Sequence, residues 1–393
     1  MVFLDIHAIQ AVPPANINRD ENGSPKTAQY GGARRLRVSS QAWKRAARKA
    51  MEAASADIPE SQRTKRLPEV LANELTKRDP ELGPRAAEVA DATVTALFGA
   101  KTPKKNGRSV TEYLLFLGAA QRDRVVDLLL EHKADVLDTV GDTKKFTDLL
   151  KRIKLRDEVS TGHPPAVALF GRMIATDPTL NVDAACQVAH AISTHAVDAQ
   201  FDYYTAVDDT DEAADETGAG MIGTIEFNAA TMYRYATVDL RSLIDNLDGD
   251  RGMATDVAVS FARAFLCSMP TGKRTTFANN TRPDFALLSV RTDQPVSLAG
   301  AFERPVVALD SDGEPVGHLA RSVRALAQHH VLQDEQYGTA PEFHTANYPA
   351  WIAEDAGRPG GSGSGYLPPS QPLPEGLAAT RAALARLVGA PDA

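Results

Sequence analysis

The chain has 393 residues, with 43 Lys and Arg against 51 Asp and Glu, for a net charge of −8 at pH 7. Its apolar share of 43% supports a packed core, and its length suits two domains or one domain with a large insertion, which excludes a disordered or fibrous chain. No apolar run approaches the roughly 20 residues that span a bilayer. The start, MVFLDIHAIQAV, has no basic region or cleavage site, so a cytoplasmic protein with no membrane partner is expected.

Taken in chain order, Val2–Val12 alternates as a strand. A basic stretch follows from Asn18 to Lys49. Between Met1 and Ala50 there are nine cations (Arg19, Lys26, Arg34, Arg35, Arg37, Lys44, Arg45, Arg48 and Lys49) against Asp5, Asp20 and Glu21, a local surplus of six. The remainder of the chain, with 34 basic and 48 acidic residues, carries −14. A basic patch concentrated on an acidic body points to a docking site for a polyanion.

Ser39 or Ser40 can cap a helix running to about Ser55, with Trp43, Ala47, Ala50 and Ala54 on its apolar face. Gln41, Lys44, Arg45 and Arg48 then form one polar stripe. Lys44/Arg48 and Arg45/Lys49 are like-charge i,i+4 pairs, each costing a few tenths of a kcal/mol in an isolated helix. A phosphate at the helix N-terminus would relieve that repulsion, and Gly31 and Gly32 would let the preceding loop approach it closely. A solvated basic face is the plainer alternative, and phosphate binding is the reading favoured here.

From about Ala56 to Pro165 the pattern turns helical, at Pro68–Arg78, Arg85–Leu97, Arg122–Val140 and Lys144–Leu155. Strand character returns at Ala166–Ile174, Ala185–Val197 and Thr224–Val238. A helix fits Met253–Cys267, and a core strand fits Phe285–Val290. The order strand, helix, strand, strand, helix, strand is the ferredoxin-like pattern, so an α+β fold with a helical insertion is expected. Near the end, Gly357–Gly365 reads as a flexible linker and Leu377–Val388 as a short amphipathic helix.

Between Val197 and Thr224 the chain makes a long acidic excursion, with Asp208, Asp209, Asp211, Glu212, Asp215 and Glu216. From Met173 to Tyr233 there is no Lys or Arg. Asp208, Asp209 and His195 invite a metal-dependent nuclease reading. Adjacent carboxylates cannot both face one ion from a strand, however, and no metal-binding spacing is present, so neither a metal nor a cofactor is expected. Cys186 and Cys267, the two cysteines, are expected to be reduced packing residues.

Several of these blocks resemble a known family, the CasC backbone subunit of the type I-E CRISPR interference complex, Cascade. The likeness is carried by NRDENGSPKTAQYGGARRLRVSSQAWKRAARK, by ALFGRM at Ala168–Met173, by AHAISTHAVD and DYYTAVDD within Ala189–Asp209, and by GTIEFNAATMYRYATVDL at Gly223–Leu240. A weaker block, GKRTTFANNTRPDFALLSV, covers Gly272–Val290. The resemblance implies an RRM-like (ferredoxin-like) palm from residues 1–55, 166–197 and 225–393, a helical fingers insertion at 56–165 and a β-hairpin thumb at 198–224.

It further implies a non-catalytic subunit that multimerises head to tail along a CRISPR RNA. Its other partners would be the remaining Cascade subunits and, through the guide, target DNA. Carried over residue by residue, Arg19, Lys26, Lys44, Arg45 and Lys49 resemble phosphate contacts, with Ser40 and Gln41 beside the backbone. Arg48 joins them from the stripe, and Lys273 and Arg274 are further phosphate candidates. Met173 and Ile222 match apolar residues that wedge beside a flipped nucleotide, where an apolar side chain can replace lost stacking. The acidic stretch is longer than the family's thumb requires, and the tail differs. A generic RRM-like binder acting alone is disfavoured by the lack of an aromatic motif for stacking bases.

Overall fold

The computed structural model describes residues 1–54, 61–206, 221–309, 313–352 and 367–389. The chain divides into two compact units. One comprises Met1–Ala50, Val188–Thr237 and Ala258–Ala393, and the other Met51–Gln187 and Val238–Val257. Residues 166–187, expected with the palm, group with the second unit, as do Val238–Val257.

The first unit is α+β and is built on one sheet. Its strands lie in the order Phe343–Asn347, Phe285–Arg291, Phe3–Ala15, Met221–Asp239, Ala191–Ser193, Ala33–Val38 and Thr27–Tyr30. The N-terminal strand pairs antiparallel with Phe285–Arg291, in a register running from Phe3 opposite Arg291 to Ile9 opposite Phe285. Successive side chains of a strand point to opposite faces, and both faces of this sheet are covered. Ile9, Tyr233 and Tyr235 pack with Phe285, Phe302, Val323 and Leu326 on one side. Gln10 and Arg234, one position along, meet Phe265 and Trp43 on the other. Burial on both faces explains why the first strand is continuously buried from Phe3 to Gln10.

Helix Ser40–Ala54 starts where the serine pair predicts, and Ser39 is the cap, its Oγ accepting the Ala42 N–H at 3.3 Å. Its buried face is Trp43, Ala47 and Met51. Ala50, expected on that face, is half-buried, and Ala54 is exposed, because the row continues from Ala47 at i+4 through Met51. The expected polar loop after the first strand contains a hairpin, Thr27–Tyr30 against Ala33–Val38. Gly31 and Gly32 form its turn with φ of +57° and +73°, the left-handed values that two-residue hairpins need. They are turn residues rather than a close-approach loop. A Cβ on Gly31 would lie 1.5 Å from the Glu303 carbonyl oxygen.

The second unit is mainly helical. Leu67–Arg78, Arg85–Phe98, Ala119–Glu131, Lys133–Thr139 and Thr143–Arg152 surround a core that includes Leu71, Val94, Phe98, Val125, Leu129 and Phe146. The single helix expected at Arg122–Val140 is broken at His132, whose φ of −102° and ψ of 27° leave the helix. The apolar phase Val125, Leu129, Val136, Val140 continues across the break, so periodicity could not reveal it.

The expected strand at Ala166–Ile174 is instead a helix, Pro165–Phe170. Proline opens it at the first position, and Pro165–Leu169 are all buried, so no amphipathic pattern marks it as helical. The expected strand Ala185–Val197 resolves into two short strands, Cys186–Val188 and Ala191–Ser193. Met253–Cys267 lies within a helix from Arg251 to Cys267, and the terminal helix spans Leu373–Val388. Helix Leu319–Tyr337 and strand Phe343–Asn347 had no counterpart in the sequence reading. Cys186 is buried, whereas Cys267, expected to be a packing residue, is exposed at the C-terminal end of its helix. No helix among the described residues is long and apolar enough to cross a membrane.

Candidate nucleic-acid interface

The basic helix presents its cations by exclusion. With Trp43, Ala47 and Met51 committed to the core, Gln41, Arg45 and Lys49 are exposed, and Lys44 and Arg48 half-buried, on the remaining face. Trp43 is held by Arg234, whose guanidinium carbon lies 3.7 Å from the indole centroid. Arg234 also donates to Gln10 Oε1 at 2.5 Å and to the Phe265 carbonyl. Burial pushes its pKa down to about 9.

The helix N-terminus is not the open anion site expected. The Ser40 N–H donates to His190 Nδ1 at 3.2 Å, and the Ala42 and Trp43 N–H groups both reach Ser39. His190 is held below the usual histidine range by burial, and then by the charges of Arg37 and Lys26. A neutral imidazole is what an acceptor role at Nδ1 requires. The cations of this helix are therefore presented by side chains along its length rather than by its first turn.

Two grooves organise those side chains. A cavity of about 610 Å³ lies between the helix and the segment Cys267–Arg282. Arg45 and Lys49 line it from the helix and Arg274 and Arg282 from the other segment, together with Ala42, Ala46, Met269 and Pro270. Among the described residues no carboxylate lines it. Gly272 lies against the chain at Ile17, where a Cβ would sit 2.3 Å from the carbonyl oxygen, and that close approach helps fix the loop. The Asn280 side-chain oxygen, oriented by its hydrogen bonds, accepts from Arg274 Nε and Nη2 at 2.7 Å each. Thus Arg45, Lys49 and Arg274, distant in sequence and each a phosphate candidate, line one cavity.

Lys26 lines a second groove of about 540 Å³ with Arg34, Arg37, Asp20, Glu21 and Glu226. Its backbone is fixed by bonds to Asn18 and Arg37 at 2.9 and 2.8 Å. Arg19, Ser40, Gln41, Lys44, Arg48 and Lys273 line neither groove. Arg19 and Gln41 are exposed, and Lys273 is half-buried in a left-handed conformation, φ +48°. Arg35, part of the same basic run, is structural: it is buried and donates to the carbonyls of Tyr30, Ser193 and Phe302.

The two expected wedge residues fare differently. Met173, in the second unit, is 79% exposed. It stands between anchored neighbours: Arg172 and Val182 exchange backbone hydrogen bonds at 2.9 Å, and the Ile174 N–H donates to Asn181 at 2.6 Å. An ordinary core methionine would be buried. The side chain of Ile222 lies outside the described residues, as does the acidic stretch Asp208–Glu216 and the linker Gly357–Gly365. The backbone of Ile222 pairs with Thr205 in an antiparallel ladder from Gln200–Phe227 to Ala206–Met221. On that ladder Phe201 and Tyr203 are 68% and 62% exposed, two positions apart and so on one face.

His195, considered for a metal site, has both ring nitrogens engaged: Nδ1 lies 2.8 Å from the Ala196 carbonyl, and Nε2 accepts the Thr231 N–H at 3.1 Å. Among the described residues, no group of three or more His, Cys, Asp and Glu is placed to hold a metal ion.

Sequence reasoning missed Arg282 and Asn280. Arg282 is a lone arginine before proline, without a periodic pattern to mark it. Its signal was the loop's cation content, which drew attention only to Lys273 and Arg274.

The fold and groove define an α+β protein with a cation-lined cavity on one unit. The chain belongs to the CT1975-like protein family, Cas_CT1975, whose model matches residues 4–356. It is similar to a chain of a CRISPR RNA-guided surveillance complex in a pre-nicking state, with 31% identity and a TM-score of 0.78 over 97% of this chain and 100% of that one. It is also similar to a chain of another CRISPR RNA-guided surveillance complex, with 28% identity and a TM-score of 0.71 over 97% and 99% of the two chains. No curated protein matches.

Proposed function

We propose that this protein is a non-catalytic CRISPR RNA-binding subunit that multimerises head to tail along the guide and forms the backbone of a type I-E Cascade complex for antiviral DNA targeting. The observation that carries the reading is the groove in which Arg45, Lys49, Arg274 and Arg282 converge without a carboxylate. Cations brought to one cavity by two segments suit a phosphate backbone, which supplies affinity without reading bases. The likeness to surveillance-complex chains supports the guide RNA as the polyanion and other Cascade subunits as partners.

An RRM-like palm is supported by the strand order Phe285–Arg291, Phe3–Ala15, Met221–Asp239, Ala191–Ser193, with helices Ser40–Ala54 and Arg251–Cys267 as the crossovers. The second unit corresponds to the fingers, and the ladder Gln200–Phe227 to Ala206–Met221 to the arms of a thumb. In this reading Met173 and Ile222 sit beside a displaced base, and the guide pairs with target DNA while the subunit cleaves nothing.

Co-expression with a repeat-spacer RNA, followed by size exclusion and sequencing of the bound RNA, tests the proposal. Discrete RNA-bound multimers carrying the guide are expected. A monomer with no bound RNA would refute it.

A further inference from the structure

Strand pairing delivers one histidine to the start of the basic helix. Arg37 and Val38 pair antiparallel with Ile192 and Ala191, so the next step of that register sets His190 beside Ser39 and Ser40. There the His190 Nδ1 lone pair is shared by two donors, the Ser40 N–H at 3.2 Å and Arg37 Nη1 at 3.3 Å. Both donors are fixed from behind. The Arg37 N–H donates to the Lys26 carbonyl at 2.8 Å, and the Lys26 N–H to the Asn18 carbonyl at 2.9 Å. Asn18 Oδ1 in turn accepts the Ser39 N–H at 2.8 Å. His190 thus ties the helix that carries Arg45 and Lys49 to Arg37 in the second groove.

The ring can do this only while neutral. A proton on Nδ1 would set an N–H against the two donors that now point at it. Besides partial burial, the charges that oppose its protonation are Arg37, from strand Ala33–Val38, and Lys26, just before strand Thr27–Tyr30. Asp20, Glu21 and Glu226 line the same groove, yet the charges that shift His190 are the two cations. The positive end of the helix acts in the same direction.

A phosphate reverses these influences. It neutralises Lys26 and Arg37, offsets the helix end, and accepts the Ser40 N–H and the Arg37 guanidinium in place of Nδ1. The exposed imidazole is then free to turn, take a proton and donate to the same anion. Its pKa is therefore higher in the complex than in the free chain, and proton and phosphate each favour the binding of the other.

We propose that His190 is a positioning residue that couples RNA-backbone binding to the uptake of a proton, so that the grip tightens as the pH falls below neutral. This rests on the RNA reading above and adds a regulation of that site.

The test measures the affinity of the full chain for a labelled single-stranded RNA by fluorescence anisotropy at constant ionic strength. Affinity should rise about threefold or more from about pH 8 to about pH 6. Calorimetry in two buffers of different ionisation enthalpy should show proton uptake approaching about one per chain. His190→Asn keeps an acceptor for the Ser40 N–H but does not titrate, so the ratio of its affinities at the two pH values should fall to about one. A wild-type affinity independent of pH would overturn the assignment. So would an equal loss at both pH values in His190→Asn, the mark of a merely structural role. Without RNA, the His190 ring followed by NMR should titrate at higher pH in Arg37→Gln, and no movement would refute the tie to Arg37. A wild-type chain that binds no RNA at either pH would count against the proposed function, and the RNA-free titration would still decide that tie.

Discussion

The guanidinium of Arg234 stacks over the indole of Trp43, 3.7 Å from the ring centroid, and so ties the basic helix to the long central strand. Arg234 is 1% exposed, and among the described residues no carboxylate pairs with it; neutral oxygens and aromatic faces hold it instead. Arg45 and Lys49, which line the groove, are thus carried on a helix held from beneath by another cation.

Arg234→Ala should destabilise the fold by about 3–5 kcal/mol, because it strips the partners from Gln10 and the Phe265 carbonyl and leaves a cavity under Trp43. Arg234→Lys should recover only part of this, since an ammonium cannot stack and fork at once. Urea unfolding at neutral pH measures both. An Arg234→Ala protein as stable as the parent would refute the anchoring role.

Arg45→Ala and Arg282→Ala should weaken RNA binding alike, whatever the guide sequence, because they line one groove. Each should make the salt slope shallower by about one. Arg45 was legible in the helix stripe and Arg282 was not, so equal effects would specifically support the groove. Titrating two unrelated RNA sequences at several salt concentrations decides it, and a loss confined to one sequence would contradict backbone binding.

Acid should destabilise the protein between pH 6.5 and about 4. Burial pushes His195 and His330 down to about 4 from 6.5, so in that window the unfolded chain binds more protons than the folded one. The stability of each neutral histidine is present above 6.5 and lost as the pH falls towards 4, at most about 3 kcal/mol apiece. Asp5 acts oppositely: burial raises it from 3.8 to about 6, which favours the folded form as the pH falls through that range. Two histidines against one carboxyl leave a net loss, and the fully buried His7, also held low, adds to it. For His195 geometry adds to burial, because protonating Nε2 would set an N–H against the Thr231 N–H it accepts. His195→Gln should therefore flatten the fall in unfolding free energy with pH, as read from urea titrations at a series of pH values.

Gly31→Ala and Gly32→Ala share a left-handed backbone yet should differ. At Gly32 nothing lies within 4 Å of a new Cβ, so the cost is about 1–2 kcal/mol of backbone strain. At Gly31 the new atom meets the Glu303 carbonyl, and the hairpin must move away. Thermal unfolding should show a clearly larger loss for Gly31→Ala.

Met173→Ala should leave unfolding free energy within about 0.5 kcal/mol, as for an exposed residue. If Met173 wedges beside a displaced base, the variant should change the periodic chemical reactivity of bound guide RNA. An unaltered reactivity pattern would remove it from the site.

Local patterns in the chain were enough to place most helices, the N-terminal, long and Phe285–Arg291 strands, and the cationic face of the basic helix. Those features depend on periodicity and capping, which are properties of neighbouring residues. The sequence alone could not show that Pro165–Phe170 is a helix, since the unbroken buried run Pro165–Leu169 carries no period. Nor could it show that Ser39 and His190 occupy the helix N-terminus, or that Arg35 serves the core while Arg45 serves the surface. Tertiary packing decided which cations stay exposed, and it brought Arg282 to the cavity that Lys49 lines although more than two hundred residues of chain separate them. Charge type is written locally. Charge convergence depends on how distant segments pack, and only the folded chain reveals it.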